Sequence, residues 1–214
     1  MRLKYVVPLL ISAIAAVIAP AATAQAVVPT AIRSGMEINV RDSIITVSGC
    51  TLGAVIAPHR ALTAGHCGNV GQPVLDGTEN RIGIIVANRI DQGVDIAVIA
   101  LDPQLRTQVD AIDWSGSFRR GQLVTKQGVT TGFGSGTVID PTPTMRDANG
   151  FDLAPPFLIN HVTVSISSTL VARPGDSGGP IREVGGRIVG IMSAASSDNT
   201  SVFTPVAALP ANLR

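Results

Sequence analysis

The chain has 214 residues, 45% hydrophobic and only 3% aromatic, with a formal net charge of +1. That length suits one domain of two lobes with a sizeable core. The balanced charge argues against nucleic acid or an acidic substrate as partner. Gly (22) and Pro (14) are abundant, as in proteins built from many short strands and tight turns.

Residues 1–26 read as a secretory signal. Arg2 and Lys4 form a basic start, residues 5–18 are apolar apart from Pro8 and Ser12, and Ala22-Thr23-Ala24 or Ala24-Gln25-Ala26 offers a cleavage site. An uncleaved anchor is the alternative, and Pro8, Pro20 and the small-residue end favour cleavage. No later stretch reaches the ~18 consecutive apolar residues of a membrane span. The expected location is secreted or cell-envelope (periplasmic), with no membrane attachment after signal removal.

Period-two or β-branched runs follow at residues 43–47, 51–57, 81–86, 95–101, 122–125, 136–140, 161–167 and 187–193. Val162, Val164 and Ile166 alternate with Thr163, Ser165 and Ser167, which predicts a half-buried strand with the aliphatic side inward. Residues 68–80 and 141–156 are turn-rich. There is no 20–50-residue repeat and no long amphipathic helical pattern. An all-β protein of barrels or sandwiches is expected. Trp114-Ser115-Gly116-Ser117 divides the chain into lobes at 27–114 and 115–214.

Cys50 and Cys67 are the only cysteines. In an exported chain such a pair suggests a disulfide, whose loop of about 17 residues would contribute roughly 3 kcal/mol. Two buried thiols are the alternative. A metal site has less support, because His66 is the only ligand type beside Cys67 and there is no CxxC pair. No metal or organic cofactor is expected.

Chemistry concentrates in three places: Thr63-Ala64-Gly65-His66-Cys67, Asp95-Ile96-Ala97-Val98-Ile99 and Gly175-Asp176-Ser177-Gly178-Gly179-Pro180. A serine between glycines can expose its hydroxyl, and nearby backbone N–H groups can receive an oxyanion. Serine is a weak nucleophile and needs a base. His66 supplies one, Asp95 would orient it, and the order His, Asp, Ser is that of a known triad. Gly175 and Ser177 would donate the oxyanion-hole N–H groups. Taken singly, each residue has a bland reading as turn, structural histidine or strand end; the joint pattern does not. Gly-Asp-Ser-Gly-Gly also fits the G-x-S-x-G of α/β-hydrolases. That fold needs a histidine after the serine, and His59, His66 and His161 all precede Ser177.

The chain resembles the chymotrypsin-like (trypsin-fold) serine proteases, and most of all the secreted bacterial branch of streptogrisins and α-lytic protease. Besides the three motifs, Cys50-Thr51-Leu52-Gly53 and residues 124–136 and 189–193 carry the resemblance, which covers about residues 43–205. It implies two orthogonal six-stranded antiparallel β-barrels with the active site in the cleft between them. It also implies endopeptidase activity through an acyl-enzyme on Ser177 and a disulfide between Cys50 and Cys67.

The same resemblance assigns supporting roles. Ser193 would hydrogen-bond Asp95, and Ser193, Ala194 and Ala195 would pair with an extended substrate. Val171 would floor the primary specificity pocket, with Ala195 and Ser201 on its wall. An uncharged floor predicts cleavage after apolar residues. Lys126 would pair with Asp176 to shape the oxyanion hole; the competing possibility is cleavage before Ile32, with a new terminus serving Asp176. The 25 residues between Ala24 and Cys50 leave no room for a large folded pro-region. Val171 and Arg173 stand where relatives often have cysteine, so a less braced nucleophile loop is expected. Polypeptide substrates are the expected partners, a proteinaceous inhibitor or activator is left open, and a monomer is expected. The alternative is a latent or non-catalytic binding module on a protease fold.

Overall fold

A computed structural model describes residues 31–41, 47–151 and 158–214. The secretory segment at 1–26, and residues 43–46 of the first expected strand, lie outside them. The first sheet contains β1 (Glu37–Arg41), β2 (Val47–Thr51), β3 (Ala54–Ala57), β4 (Arg60–Thr63), β5 (Pro73–Asp76), β6 (Arg81–Asn88) and β7 (Ala97–Leu101). The second contains β8 (Leu123–Gly128), β9 (Gly132–Phe151), β10 (Leu158–Ser168), β11 (Pro180–Glu183), β12 (Ile188–Ser197) and β13 (Thr200–Pro205). Helical backbone among the described residues is confined to single 3-10 turns at Gly65–Cys67, Ile90–Gln92, Val206–Ala208 and Ala211–Leu213.

The all-β expectation holds. The second sheet is a closed six-stranded barrel, β10-β13-β12-β11-β8-β9, and all its pairings are antiparallel. The first is seven-stranded in the order β2-β1-β5-β6-β7-β4-β3. The expected first six-stranded barrel is thus an open half-barrel of seven strands, and its edge members β2 and β3 follow one another in the chain with an interruption at Leu52–Gly53. The interruption has a steric reason. A Cβ on Gly53 would lie 2.4 Å from the Gly178 carbonyl oxygen and 2.5 Å from Ile191 Cδ1. Glycine there lets the segment around Gly178 come close to the first sheet.

Two stretches depart from expectation. Residues 141–151 are not a turn region but the outer half of β9, running out beside β10 as a two-stranded ribbon. Pro141 and Pro143 are tolerated because this part of β9 pairs on one side only and register shifts where the ribbon leaves the barrel. β5 likewise lies inside the turn-rich 68–80. On β10 the expected facing is inverted at the start. Thr163 and Ser165 are buried while Val162 is exposed. Bulges between Ser165 and Ser168 then return Ile166 to the interior. The hydroxyls of Thr163 and Ser165 find no partner there.

One core gathers Ile38, Leu52, Leu62, Ile96 and Ile99 with Ile188, Ile191, Val206 and Leu209 from the far end of the chain. The other centres on Val124, Ile166, Leu170, Ile181 and Phe203 inside the barrel. Each fully buried Leu or Ile contributes about 1.5–3 kcal/mol. Polar ties also join the halves. The Asp110 carboxylate accepts from Arg182 Nη2 at 2.7 Å, Ser34 Oγ at 2.9 Å and the Val55 N–H at 2.9 Å.

Candidate active site

His66 sits on the 3-10 turn that follows β4, and Cys67 beside it is bonded to Cys50 of β2. Asn88, at the end of β6, pins this turn by donating to the carbonyls of Gly65 (2.7 Å) and Gly68 (2.8 Å). Asp95 lies between the Ile90–Gln92 turn and β7, and is fully buried. Its Oδ1 accepts the His66 backbone N–H at 2.9 Å, and its Oδ2 faces His66 Nδ1 at 2.9 Å. Ser193 Oγ donates to the same Oδ2. An ionised carboxylate only accepts, so the proton of a neutral His66 resides on Nδ1 and Nε2 is left as the basic atom.

The electrostatics follow from this packing. Burial works against a charged imidazole, but the negative charge and hydrogen bond of Asp95 outweigh it and raise the His66 pKa. Burial likewise works against the Asp95 carboxylate. The His66 charge and hydrogen bonds from His66 and Ser193 outweigh it and hold Asp95 below the usual range.

Ser177 lies on the segment between β10 and β11, half-exposed. Its carbonyl accepts the Thr51 N–H at 2.8 Å, and Gly178 N–H donates to Met192 O at 2.8 Å. These bonds seat the loop on both sheets. Gly178 has φ +86°, and a Cβ there would lie 2.2 Å from Thr63 Oγ1. The N–H groups of Asp176, Gly178 and Gly179 all find acceptors. Among the described residues, the N–H groups of Gly175 and Ser177 find none, and neither does the Ser177 hydroxyl.

Asp176 is buried and saturated. Its Oδ1 accepts from the N–H groups of Thr130 and Thr131, both at 3.0 Å. Its Oδ2 accepts from Thr131 Oγ1, from the Arg173 N–H at 3.0 Å and from Lys126 Nζ at 3.2 Å. Burial pushes its pKa up, but the Thr131 and Arg173 hydrogen bonds and the Lys126 charge bring it below the ordinary value. Lys126 Nζ also contacts Thr131 Oγ1 and the Gly132 carbonyl. These bonds to one carboxylate, in place of a second disulfide, tie the loop around Asp176 to the barrel.

In the uncut chain Ile32 lies away from Asp176. It is buried in the first core, its N–H donates to Arg106 O, and its carbonyl accepts from the Gln108 N–H. Val171 is 40% exposed on the loop before Asp176, which excludes a place in the core. Ala194 is half-buried and Ala195 exposed on β12, opposite Val202 and Ser201 of β13. Ser201 itself is buried, 3.2 Å from Ser168 Oγ. Ligand atoms of Cys50, His66 and Cys67 lie within 4.8 Å of one another, but the disulfide engages both sulfurs and leaves no thiolate for a metal. Sequence reasoning missed Thr130 and Thr131, which sit in the 124–136 stretch without any local sign of their cross-chain bonds. It noted Thr51 only as the neighbour of Cys50.

Residues 32–211 match the Trypsin family, and the chain belongs to it. A curated relative, the "Serine protease Do-like HtrA" of Lactobacillus helveticus, is 30% identical over 131 residues, 57% of this chain and 29% of that protein. The chain thus spans about three-tenths of that relative's length. Nocardiopsis protease (NAPase) superposes with a TM-score of 0.60 at 23% identity, covering 82% of this chain and 92% of the other. Thermobifida fusca protease A gives 0.59 at 20% identity, over 82% and 92%. Cellulomonas bogoriensis chymotrypsin gives 0.57 at 23% identity, over 81% and 91%. The fold is that of these bacterial chymotrypsin-like proteases.

Proposed function

We propose that this protein is a secreted serine endopeptidase with His66, Asp95 and Ser177 as its triad. The observation that carries the reading is a buried Asp95 bonded to both His66 and Ser193, together with the two unpaired N–H groups at Gly175 and Ser177. His66 Nε2 takes the Ser177 proton as Oγ attacks the substrate carbonyl. The tetrahedral oxyanion is received by the Gly175 and Ser177 N–H groups, where losing one donor costs about 2.7–4 kcal/mol. Collapse breaks the peptide bond, and the amine leaves with the proton from His66. Water then attacks the acyl-enzyme by the same route, releasing the acid and restoring Ser177.

Lys126 and the other donors hold Asp176 so that the loop keeps this shape without a newly cut terminus. Ser193, Ala194 and Ala195 offer an edge to an extended substrate. Val171 presents no charge, which supports cleavage after uncharged apolar residues. The Cys50–Cys67 disulfide fits an oxidising compartment outside the cytosol, in keeping with the expected signal.

The decisive experiment is mass spectrometry of the mature protein after treatment with a phosphonofluoridate, with Ser177→Ala as control. A single adduct on Ser177 is expected, and the intact mass gives the mature N-terminus. A folded wild type that takes no adduct would overturn the reading in favour of a latent or binding role. Faster cleavage after Arg or Lys than after apolar residues would refute the specificity.

A further inference from the structure

Two threonine hydroxyls from different parts of the chain donate to consecutive backbone carbonyls at the oxyanion hole. Thr130 Oγ1 donates to Pro174 O at 2.6 Å. Thr51 Oγ1 donates to Gly175 O at 2.7 Å and accepts the Val129 N–H at 3.1 Å. These two carbonyls belong to the peptide planes on either side of Gly175. In a trans peptide the N–H points opposite to the C=O of the same plane. Anchoring Pro174 O therefore fixes the direction of the Gly175 N–H, and anchoring Gly175 O fixes the next plane.

Gly175 needs such anchoring. It has φ +97° and no Cβ, so its flanking peptides can rotate with little steric resistance. Its own N–H has no acceptor among the described residues, so nothing on that side of the plane holds it. A Cβ at Gly175 would lie 2.3 Å from Thr130 Oγ1, so the clamp is in direct contact with the residue it orients. Thr130 is held in turn by its N–H to Asp176 Oδ1. Thr51 is held by its N–H to Ser177 O and by Thr63 Oγ1, which donates to its carbonyl at 3.1 Å.

We propose that Thr130 and Thr51 are positioning residues that hold the two peptide planes around Gly175 so that its N–H faces the developing oxyanion. The inference rests on the peptidase reading above. Thr51 acts from the first sheet and Thr130 from the barrel, so the hole is set from both sides.

The test compares wild type, Thr130→Val, Thr130→Ser and Thr51→Ser. Thr130 is exposed, so valine there leaves the fold in place, and a melting curve checks this. The readouts are kcat and KM on a peptide substrate, and the affinity of a peptide aldehyde whose hemiacetal oxygen occupies the hole. With one anchoring hydrogen bond lost, Thr130→Val is expected to lower kcat and aldehyde affinity about tenfold, with KM changed less than about threefold. Thr130→Ser and Thr51→Ser keep the hydroxyl and retain most of the activity. Should Thr130→Val match wild type in kcat and aldehyde affinity, or Thr130→Ser fall as far as Thr130→Val, the clamp is refuted while the peptidase reading stands. Failure of wild type itself to take the phosphonofluoridate removes the peptidase reading and this inference together.

Discussion

Replacing Lys126 by Met is the sharpest test of how the loop around Asp176 is supported. Methionine matches the length of the aliphatic stem and removes only the cation. The Lys126 side chain is 3% exposed and Asp176 fully buried, with 3.2 Å between Nζ and Oδ2. Removing one partner of such a pair costs about 3–5 kcal/mol, because the other charge stays buried. Here Asp176 keeps four donors, the N–H groups of Thr130, Thr131 and Arg173 and the Thr131 hydroxyl. The loss should therefore sit near the lower bound, about 3 kcal/mol. For a chain of this size that lowers Tm by roughly 6–12 °C.

The assay is thermal unfolding with the disulfide intact, repeated across acidic pH, alongside kcat. The Asp176 pKa is depressed in the folded state. Its contribution is therefore present above the unfolded carboxylate value and is lost as pH falls through the folded pKa. The gap between wild type and variant should thus be full near neutrality and narrow in acid. A Tm within 2 °C of wild type at pH 7 with full activity would refute the buried-pair reasoning. A gap that widens in acid would refute the sign.

Ser193→Ala removes one donor to Asp95 but keeps the His66 bond. The raised His66 pKa places the acid limb of kcat/KM above the ordinary imidazole value near 6.5, because His66 must be neutral to act as base. Asp95 is held below the usual carboxylate range and stays ionised without this donor, so the limb should remain above 6.5 while kcat falls several-fold through looser positioning of Asp95. An unchanged kcat would count against Ser193 acting through Asp95. Cys50→Ala with Cys67→Ala opens a loop with a sequence separation of 17. It should cost about 3 kcal/mol of stability, read by urea unfolding. A loss below 1 kcal/mol would mean that the Asn88 bonds alone hold the His66 turn.

The proposed triad residues stand out in the sequence because each sits in a short motif whose flanking glycines or apolar strand residues leave a local mark. The barrel strands 187–193 and 122–125 were legible for the same reason. The outer half of β9 was hidden because Pro141 and Pro143 resemble turn residues, and only the one-sided pairing of the ribbon makes them harmless. Thr163 and Ser165 were assigned to the solvent side by polarity, but the bulge before Ser168 decides the facing, and a bulge has no signature in a single sequence. The hydrogen bonds of Thr51 and Thr130 span 124 and 44 residues. No local pattern encodes such contacts, since they arise only when the nucleophile loop is seated.

That seating has a kinetic consequence. His66 and Asp95 are brought together by near neighbours on the first sheet, whereas the loop that carries Ser177 is seated on Thr51 of that sheet by bonds that close loops of more than a hundred residues. Loop-closure entropy delays such contacts until the local ones have formed. In a refolding experiment, recovered hydrolysis would time the docking of barrel on sheet, while circular dichroism would time the strands alone. On the proposed peptidase reading, the protein thus carries its own clock for the last step of its folding.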